Sequence, residues 1–270
     1  MSKYNSLITG YTNHSKGLWN DRYDKKTLFP WYMTIYRNDY IFNYLKKDPE
    51  ISKKKVLDFG CGYGDVCFQI SPIVEEAVGL DIVPDMIDKA NKYKLDNNFK
   101  NTNFKVIQRE TTYPDAYFDY IVLPDVIEHF MPEDRDFYVN ELKRILKPAG
   151  QILTITPSID TMKVLEFIDT LLLKLVMRTQ VIVVTNPKNF FFKKSELINL
   201  YEKNGMKKDS YTKICFYPAP ERSGFFGVVE QGFMRIGLQK IFFPIFFLVF
   251  KIISALTICN QKMFLVTSKK

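Results

Sequence analysis

The stretch Val56-Leu57-Asp58-Phe59-Gly60-Cys61-Gly62-Tyr63-Gly64-Asp65-Val66 sets three glycines at alternate positions directly after a short apolar run. Glycine loses more conformational entropy on folding than any other residue, so this spacing implies a tight turn or a close approach to the backbone. The residues before it read as a strand, Val56–Phe59, and those after it as a helix through Cys67-Phe68-Gln69-Ile70. Strand, glycine turn and helix, in that order, form the nucleotide-binding unit of doubly wound sheets, with the ligand at the helix N-terminus.

Working outward, the same alternation continues. Ala77–Asp81, Phe104–Gln108, Phe118–Leu123 and Gln151–Thr156 read as further strands. A helix beginning near Pro84 follows the second strand, a loop joins the third and fourth, and a helix over Arg135–Leu146 joins the fourth and fifth. Short apolar runs alternating with helical segments indicate an α/β fold, a parallel sheet with helices on both faces. Downstream, Lys194–Asn204 reads as a helix ended by Gly205, Ser210–Tyr217 as a strand, and Met263–Val266 as a last strand. Upstream, an aromatic block reads as a helix from Pro30 to Lys46-Lys47, stopped by Asp48-Pro49.

The spacing discriminates between ligands. A dinucleotide fingerprint, G-x-G-x-x-G, would place its third glycine where Asp65 stands, so a nicotinamide oxidoreductase is disfavoured. Asp58 brings an acid to the turn, a poor neighbour for a diphosphate and a good one for an ammonium group. Asp81 ends the second strand, where a carboxylate can accept both hydroxyls of an adenosine ribose. S-adenosylmethionine has an ammonium, a sulfonium and a ribose diol, and no phosphate.

The bulk numbers fit an ordinary globular chain. Its 270 residues are 46% hydrophobic and 25% charged, enough for a full core and near the upper size of one domain. The net charge of +8 is spread without a basic run, so a nucleic-acid partner is not expected. Cys61, Cys67, Cys215 and Cys259 form no C-x-x-C pair, and only His14 and His129 stand beside them, which argues against a structural zinc site. Reduced thiols and a polar N-terminus without an apolar core segment lead to the expectation of a cytoplasmic protein.

VLDFGCGYGDV, AVGLDIVPDMIDKA, TYPDAYFDYIVLPDVIEHF, ELKRILKPAGQILTITPS and FFKKSELINLYEKNGM, in that order, resemble the class I S-adenosylmethionine-dependent methyltransferases, especially the ubiquinone and menaquinone branch. The resemblance covers residues 51–158 and 190–217, with a closing strand at 263–268. It implies a Rossmann-like, seven-stranded sheet whose last strand runs antiparallel beside the sixth. It also implies that Asp58, Gly60, Cys61, Gly62 and Gly64 hold the methionine moiety, Asp81 the ribose, and Ile82 the adenine. Glu110 is the nearest match to the acid that faces the adenine amino group, and Leu123 and Pro124 would line the pocket near the transferred methyl.

Methyl transfer is an in-line displacement of a good leaving group, so the protein must chiefly align the reactants and exclude water. A hydroxyl nucleophile also needs a base, and His129 is the candidate. In the quinone O-methyltransferases a stretch similar to Asp125-Val126-Ile127-Glu128-His129 binds a divalent cation; Asp125, Glu128 and His129 match it. The alternative is that Glu128-His129 only caps the loop. Neither the Asn/Asp-Pro-Pro-aromatic sequence of adenine-N6 enzymes nor the Pro-Cys of cytosine-C5 enzymes is present, which favours a small-molecule acceptor.

Two apolar segments bear on that acceptor. Met162–Arg178 reads as an amphipathic helix with a broad apolar face. Ile241–Cys259 would be about 28 Å long as a helix, but one crossing would strand the closing strand on the wrong side. Two readings stay open for it: burial on its own domain, or peripheral membrane contact through 235–259, where Arg235, Lys240 and Lys251 lie. The expected organisation is a helical lid over 1–50 and a methyltransferase domain over 51–270, with cover insertions at about 159–193 and 218–260. Trp19, Trp31 and Tyr32 are candidate lid residues. Apolar covers point to a hydrophobic or lipid-linked acceptor methylated on oxygen, with carbon or nitrogen open, or else to a catalytically silent cofactor-binding subunit.

Overall fold

The computed structural model describes residues 28–159, 190–214 and 262–269. Lys55–Phe59 (β1), Glu76–Asp81 (β2), Thr102–Val106 (β3), Phe118–Pro124 (β4), Leu146–Pro157 (β5), Met206–Ile214 (β6) and Lys262–Lys269 (β7) form one sheet. Its order is β3-β2-β1-β4-β5-β7-β6. The pairs among β1 to β5 are parallel, and β7 enters antiparallel between β5 and β6. This is the seven-stranded arrangement with an antiparallel last strand.

Five helices flank the sheet among the described residues: Leu28–Leu45 (α1), Asp65–Ile70 (α2), Pro84–Asp96 (α3), Arg135–Ile145 (α4) and Lys194–Lys203 (α5). The central strands read as unbroken apolar runs because both faces of the sheet are covered. Val56 packs into one layer with Ile41 and Leu45 of α1 and Cys67 and Ile70 of α2. Leu57, one residue on, packs into the other layer with Leu142 of α4 and Tyr201 of α5. Sequence signals place the helix ends. Pro84 opens α3, where its missing N–H costs nothing. Lys143 and Arg144 sit in the last turn of α4, facing its negative dipole end.

The strand boundaries differ most from expectation in β3, β5 and β6. β3 begins at Thr102 rather than Phe104, because Thr102 and Asn103 pair with Ala77 and Val78. β5 starts at Leu146, so the Lys147-Pro148-Ala149-Gly150 segment belongs to the strand, with a register shift between Phe118 and Tyr120 on its partner. β6 begins at Met206, immediately after Gly205 (φ 77°) ends α5. The readings for Met162–Arg178, Ile241–Cys259, His14 and Trp19 lie outside the described residues. Among the described residues no helix is long and apolar enough to cross a membrane.

The order reverses between β1 and β4, which leave in opposite directions from the middle of the sheet. In open α/β sheets that point, at the carboxyl ends of the strands, is where a crevice forms.

Candidate functional site

A cavity of about 360 Å³ lies at that switch point, within the usual size of small-ligand pockets. It is walled by the exits of β1, β2, β3 and β4, and by Arg37 from α1.

The glycine turn after β1 divides its work. Gly60, Gly62 and Gly64 all have positive φ, at 78°, 55° and 84°. At Gly60 a Cβ would lie 2.6 Å from a methyl of Val126, and at Gly64 it would lie 2.5 Å from the Phe104 ring. Those two positions are kept bare by the protein's own side chains, and Gly64 does not line the cavity. At Gly62 a Cβ would meet only Met86 Sδ, 3.7 Å away, on the cavity wall. Gly62 is therefore where the backbone itself is offered to a ligand. Cys61 lines the cavity from a buried position, and burial pushes its thiol well up.

Asp58 is buried to 1% exposure on β1, and among the described residues neither carboxylate oxygen has a hydrogen-bond partner. Burial pushes its pKa up to about 8; Arg37 pulls against that, and Asp65 and Asp81 add to it. A buried carboxyl without a partner is costly unless something cationic completes it. Asp81, at the end of β2, accepts the N–H of Val83 on Oδ1 (2.9 Å) and the N–H of Gly62 on Oδ2 (2.8 Å). It ties the β1 and β2 turns together, and each oxygen retains a second lone pair for a diol. Burial raises its pKa, and those backbone donors offset part of the rise. Ile82 and Ile107 supply an apolar slot beside it.

Besides Gly64, two expected residues do not reach the cavity. β3 ends at Val106, and Ile107 donates its N–H to the Asp81 carbonyl at 2.9 Å, so Gln108 is the side chain at the exit. Glu110 is exposed and outside the cavity. Just beyond it, Thr111 N–H and Oγ1 both donate to Glu141 Oε1, at 2.9 and 2.8 Å, drawing the chain toward α4. Leu123 is fully buried in the core, still paired in the sheet with Thr154; the wall is made instead by Pro124 and the residues that follow.

After β4 the chain turns at Asp125, with φ 61°, anchored by its N–H to the Ile155 carbonyl (2.8 Å). Asp125 Oδ2 accepts from Arg37 Nη1 at 3.1 Å and from Lys262 Nζ; Oδ1 is buried without a hydrogen-bond partner among the described residues. Burial opposes the charge of Asp125, but Lys262 and Arg37 outweigh it and hold the carboxyl below its usual range. Glu128 is buried, accepts from Thr156 Oγ1 at 2.9 Å, and is pushed up to about 8 by burial and by Asp125. His129 lines the cavity from a short 3-10 turn, Ile127–His129. The residues of the divalent-cation reading have other partners here. Asp125 is committed to two cations and Glu128 to Thr156, and among the described residues no three His, Cys, Asp or Glu side chains could hold a metal ion.

Arg37, Gln108 and Lys262 were not anticipated. Arg37 opens a polar break in an aromatic run, in IYRNDY, and Lys262 stands at the head of an apolar run, in KMFLV, which is the only mark they leave in the sequence.

Comparison with known proteins bears on the family and the fold. The uncharacterized methyltransferase YcgJ of Bacillus subtilis is 30% identical over 105 residues, covering 38% of this chain and 41% of that protein. The ubiquinone biosynthesis O-methyltransferase of Pelagibacter ubique is 27% identical over 165 residues, covering 61% of this chain and 66% of its own. The matched stretches thus span less than two thirds of either relative. The crystal structure of YcgJ superposes with a TM-score of 0.56 at 17% identity, over 87% of this chain and 99% of that one, a likeness of fold. The family model of the methyltransferase domain matches residues 51–211, most of the chain and every strand from β1 to β5. That match covers more than half of the chain, and the chain belongs to the methyltransferase-domain family of S-adenosylmethionine-dependent proteins.

Proposed function

We propose that this chain transfers the methyl group of S-adenosylmethionine to a small acceptor. The observation that carries the reading is Asp58, a buried carboxyl that lacks a hydrogen-bond partner among the described residues and lies beside the exposed backbone of Gly62. An α-ammonium supplies the missing cation; a diphosphate would add negative charge to Asp58, Asp65 and Asp81, which all line the same cavity.

The residues fit the donor part by part. Asp58 faces the ammonium, Gly62 offers its backbone to the amino-acid portion, and Arg37 supplies a guanidinium for the carboxylate. Asp81 takes the ribose hydroxyls. Ile82 and Ile107 sandwich the adenine, and Gln108 can both accept from its amino group and donate to its ring nitrogen. When bound, the donor supplies an electrophilic methyl on a good leaving group. The chain's own task is to orient the acceptor in the space beside Pro124, Val126 and His129 and to keep water out. His129 is the group placed to take a proton from a hydroxyl acceptor.

The name of the Pelagibacter relative supports oxygen as the methylated atom. The apolar segments at 162–178 and 241–259, together with a net charge of +8, support a hydrophobic or lipid-linked acceptor met at an anionic membrane surface. Release of S-adenosylhomocysteine from the purified chain, assayed across a panel of hydroxylated and aminated apolar acceptors, tests the proposal. Turnover with at least one class is expected. Tight donor binding with no turnover on any would favour a silent cofactor-binding subunit instead.

A further inference from the structure

Asp125, Glu128 and His129 have the residue types of a cation site, yet the chain brings its own cations to that place. β7 runs antiparallel, so its first residue stands at the carboxyl edge of the sheet: Lys262 is opposite Pro157, next to Thr156. From there its ammonium forms an ion pair with Asp125 Oδ2. Arg37 Nη1 donates to the same oxygen at 3.1 Å and to the Pro124 carbonyl at 3.3 Å. The side chains of Arg37 and Lys262 are only 13% and 11% exposed, so water screens neither charge well. Glu128 accepts from Thr156 Oγ1 at 2.9 Å.

We propose that Lys262, together with Arg37, is the built-in cation of this site: it fixes the Asp125 turn at the cavity wall and takes the position that a divalent metal would otherwise occupy. The inference rests on the methyl-transfer reading only for what the cavity receives; the charge arrangement stands apart from it. An incoming divalent ion would have to displace two buried cations from one carboxylate, or sit beside them where the screening of water is lost. Removing Lys262 leaves Arg37 as the cation on Asp125, with Oδ1 and the vacated side of Oδ2 open, and a small hard cation with oxygen ligands is the natural replacement. Lys262 acts through Asp125 and is therefore a positioning residue.

The test uses the full chain and Mn²⁺, with binding read from loss of the free-ion electron paramagnetic resonance signal. The wild-type chain is expected to leave the signal of one equivalent of Mn²⁺ unchanged. Lys262→Met should gain Mn²⁺ affinity by at least about tenfold, Lys262→Arg should behave as wild type, and adding Asp125→Asn to Lys262→Met should abolish the gain. Calorimetric titration of each variant with S-adenosylhomocysteine reports an intact fold and judges the cofactor reading separately. Mn²⁺ binding by the wild-type chain that is lost in Asp125→Asn would overturn the inference, even if Lys262→Met does not fold. So would a folded Lys262→Met that gains no affinity.

Discussion

Asp58 makes donor binding dependent on pH in a way that can be worked out in advance. In the free chain its carboxyl is pushed up to about 8, chiefly by burial. An ammonium ligand needs the ionised form. Ionising Asp58 at pH 7 therefore costs on the order of 1 kcal/mol of the binding energy, and on the order of 3 kcal/mol at pH 6. Affinity should rise about tenfold per pH unit between pH 5.5 and 7.5, a window in which an α-ammonium stays protonated, and should level off as pH passes the Asp58 value. Near pH 6.5 binding should release close to one proton, measurable by titrating S-adenosylhomocysteine in buffers of different ionisation enthalpy. Asp58→Asn should flatten the profile and lose a charge-assisted hydrogen bond, about 1.5–3 kcal/mol at the plateau. A flat wild-type profile, or an Asp58→Asn chain that binds as tightly as wild type at pH 7.5, would refute the reasoning.

The same carboxyl predicts an opposite effect on stability. Its folded-state pKa is raised, so the folded chain holds a proton that the unfolded chain has lost, and stability falls as pH rises from about 4 toward 8; without ligand at pH 8, Asp58→Asn should be more stable by about 1–3 kcal/mol in urea unfolding. Gly60→Ala forces a Cβ against Val126 at positive φ and should destabilise the chain by about 1–3 kcal/mol, seen as a lower melting temperature. Gly62→Ala, strained by its positive φ but meeting only Met86 Sδ at an ordinary contact distance, should lose about 1 kcal/mol of stability, a drop of a few degrees in melting temperature, yet bind S-adenosylhomocysteine at least about tenfold more weakly, because the added methyl stands in the cavity. Gln108→Ala should weaken that binding by about 1 kcal/mol while Glu110→Ala leaves it unchanged, as calorimetry would show. His129→Ala should lower turnover of a hydroxyl acceptor by about 10²-fold or more and alter its pH profile; unchanged turnover across pH would remove His129 from the role of base.

What could be read from the sequence follows from how local the physics is. VLDFGCGYGDV announces strand, turn and helix within eleven neighbouring residues, and Asp81 follows one crossover later, so the glycine turn and the two acids that line the cavity beside it were legible. Gln108 was missed for a local reason: β3 runs from 102 to 106 rather than from 104 to 108, and a two-residue slip moves the side chain at the strand exit. Leu123 and Pro124 differ by one residue, which in a sheet covered on both faces separates core from cavity wall. The ion pairs of Asp125 were beyond reach for another reason. Arg37 lies 88 positions before it and Lys262 137 after it, and only the insertion of β7 between β5 and β6 brings the second of these to the site. A stretch of acids and a histidine therefore suggested a metal, while the cations that neutralise it came from distant elements.

The most direct measurement of the central claim is a crystal structure of the full chain with S-adenosylhomocysteine. The account predicts its ammonium on Asp58, its amino-acid portion along the backbone of Gly62, its ribose hydroxyls on Asp81 and its adenine between Ile82 and Ile107. A ligand bound elsewhere, or a cavity that takes a dinucleotide with its diphosphate at the glycine turn and refuses S-adenosylhomocysteine, would contradict it.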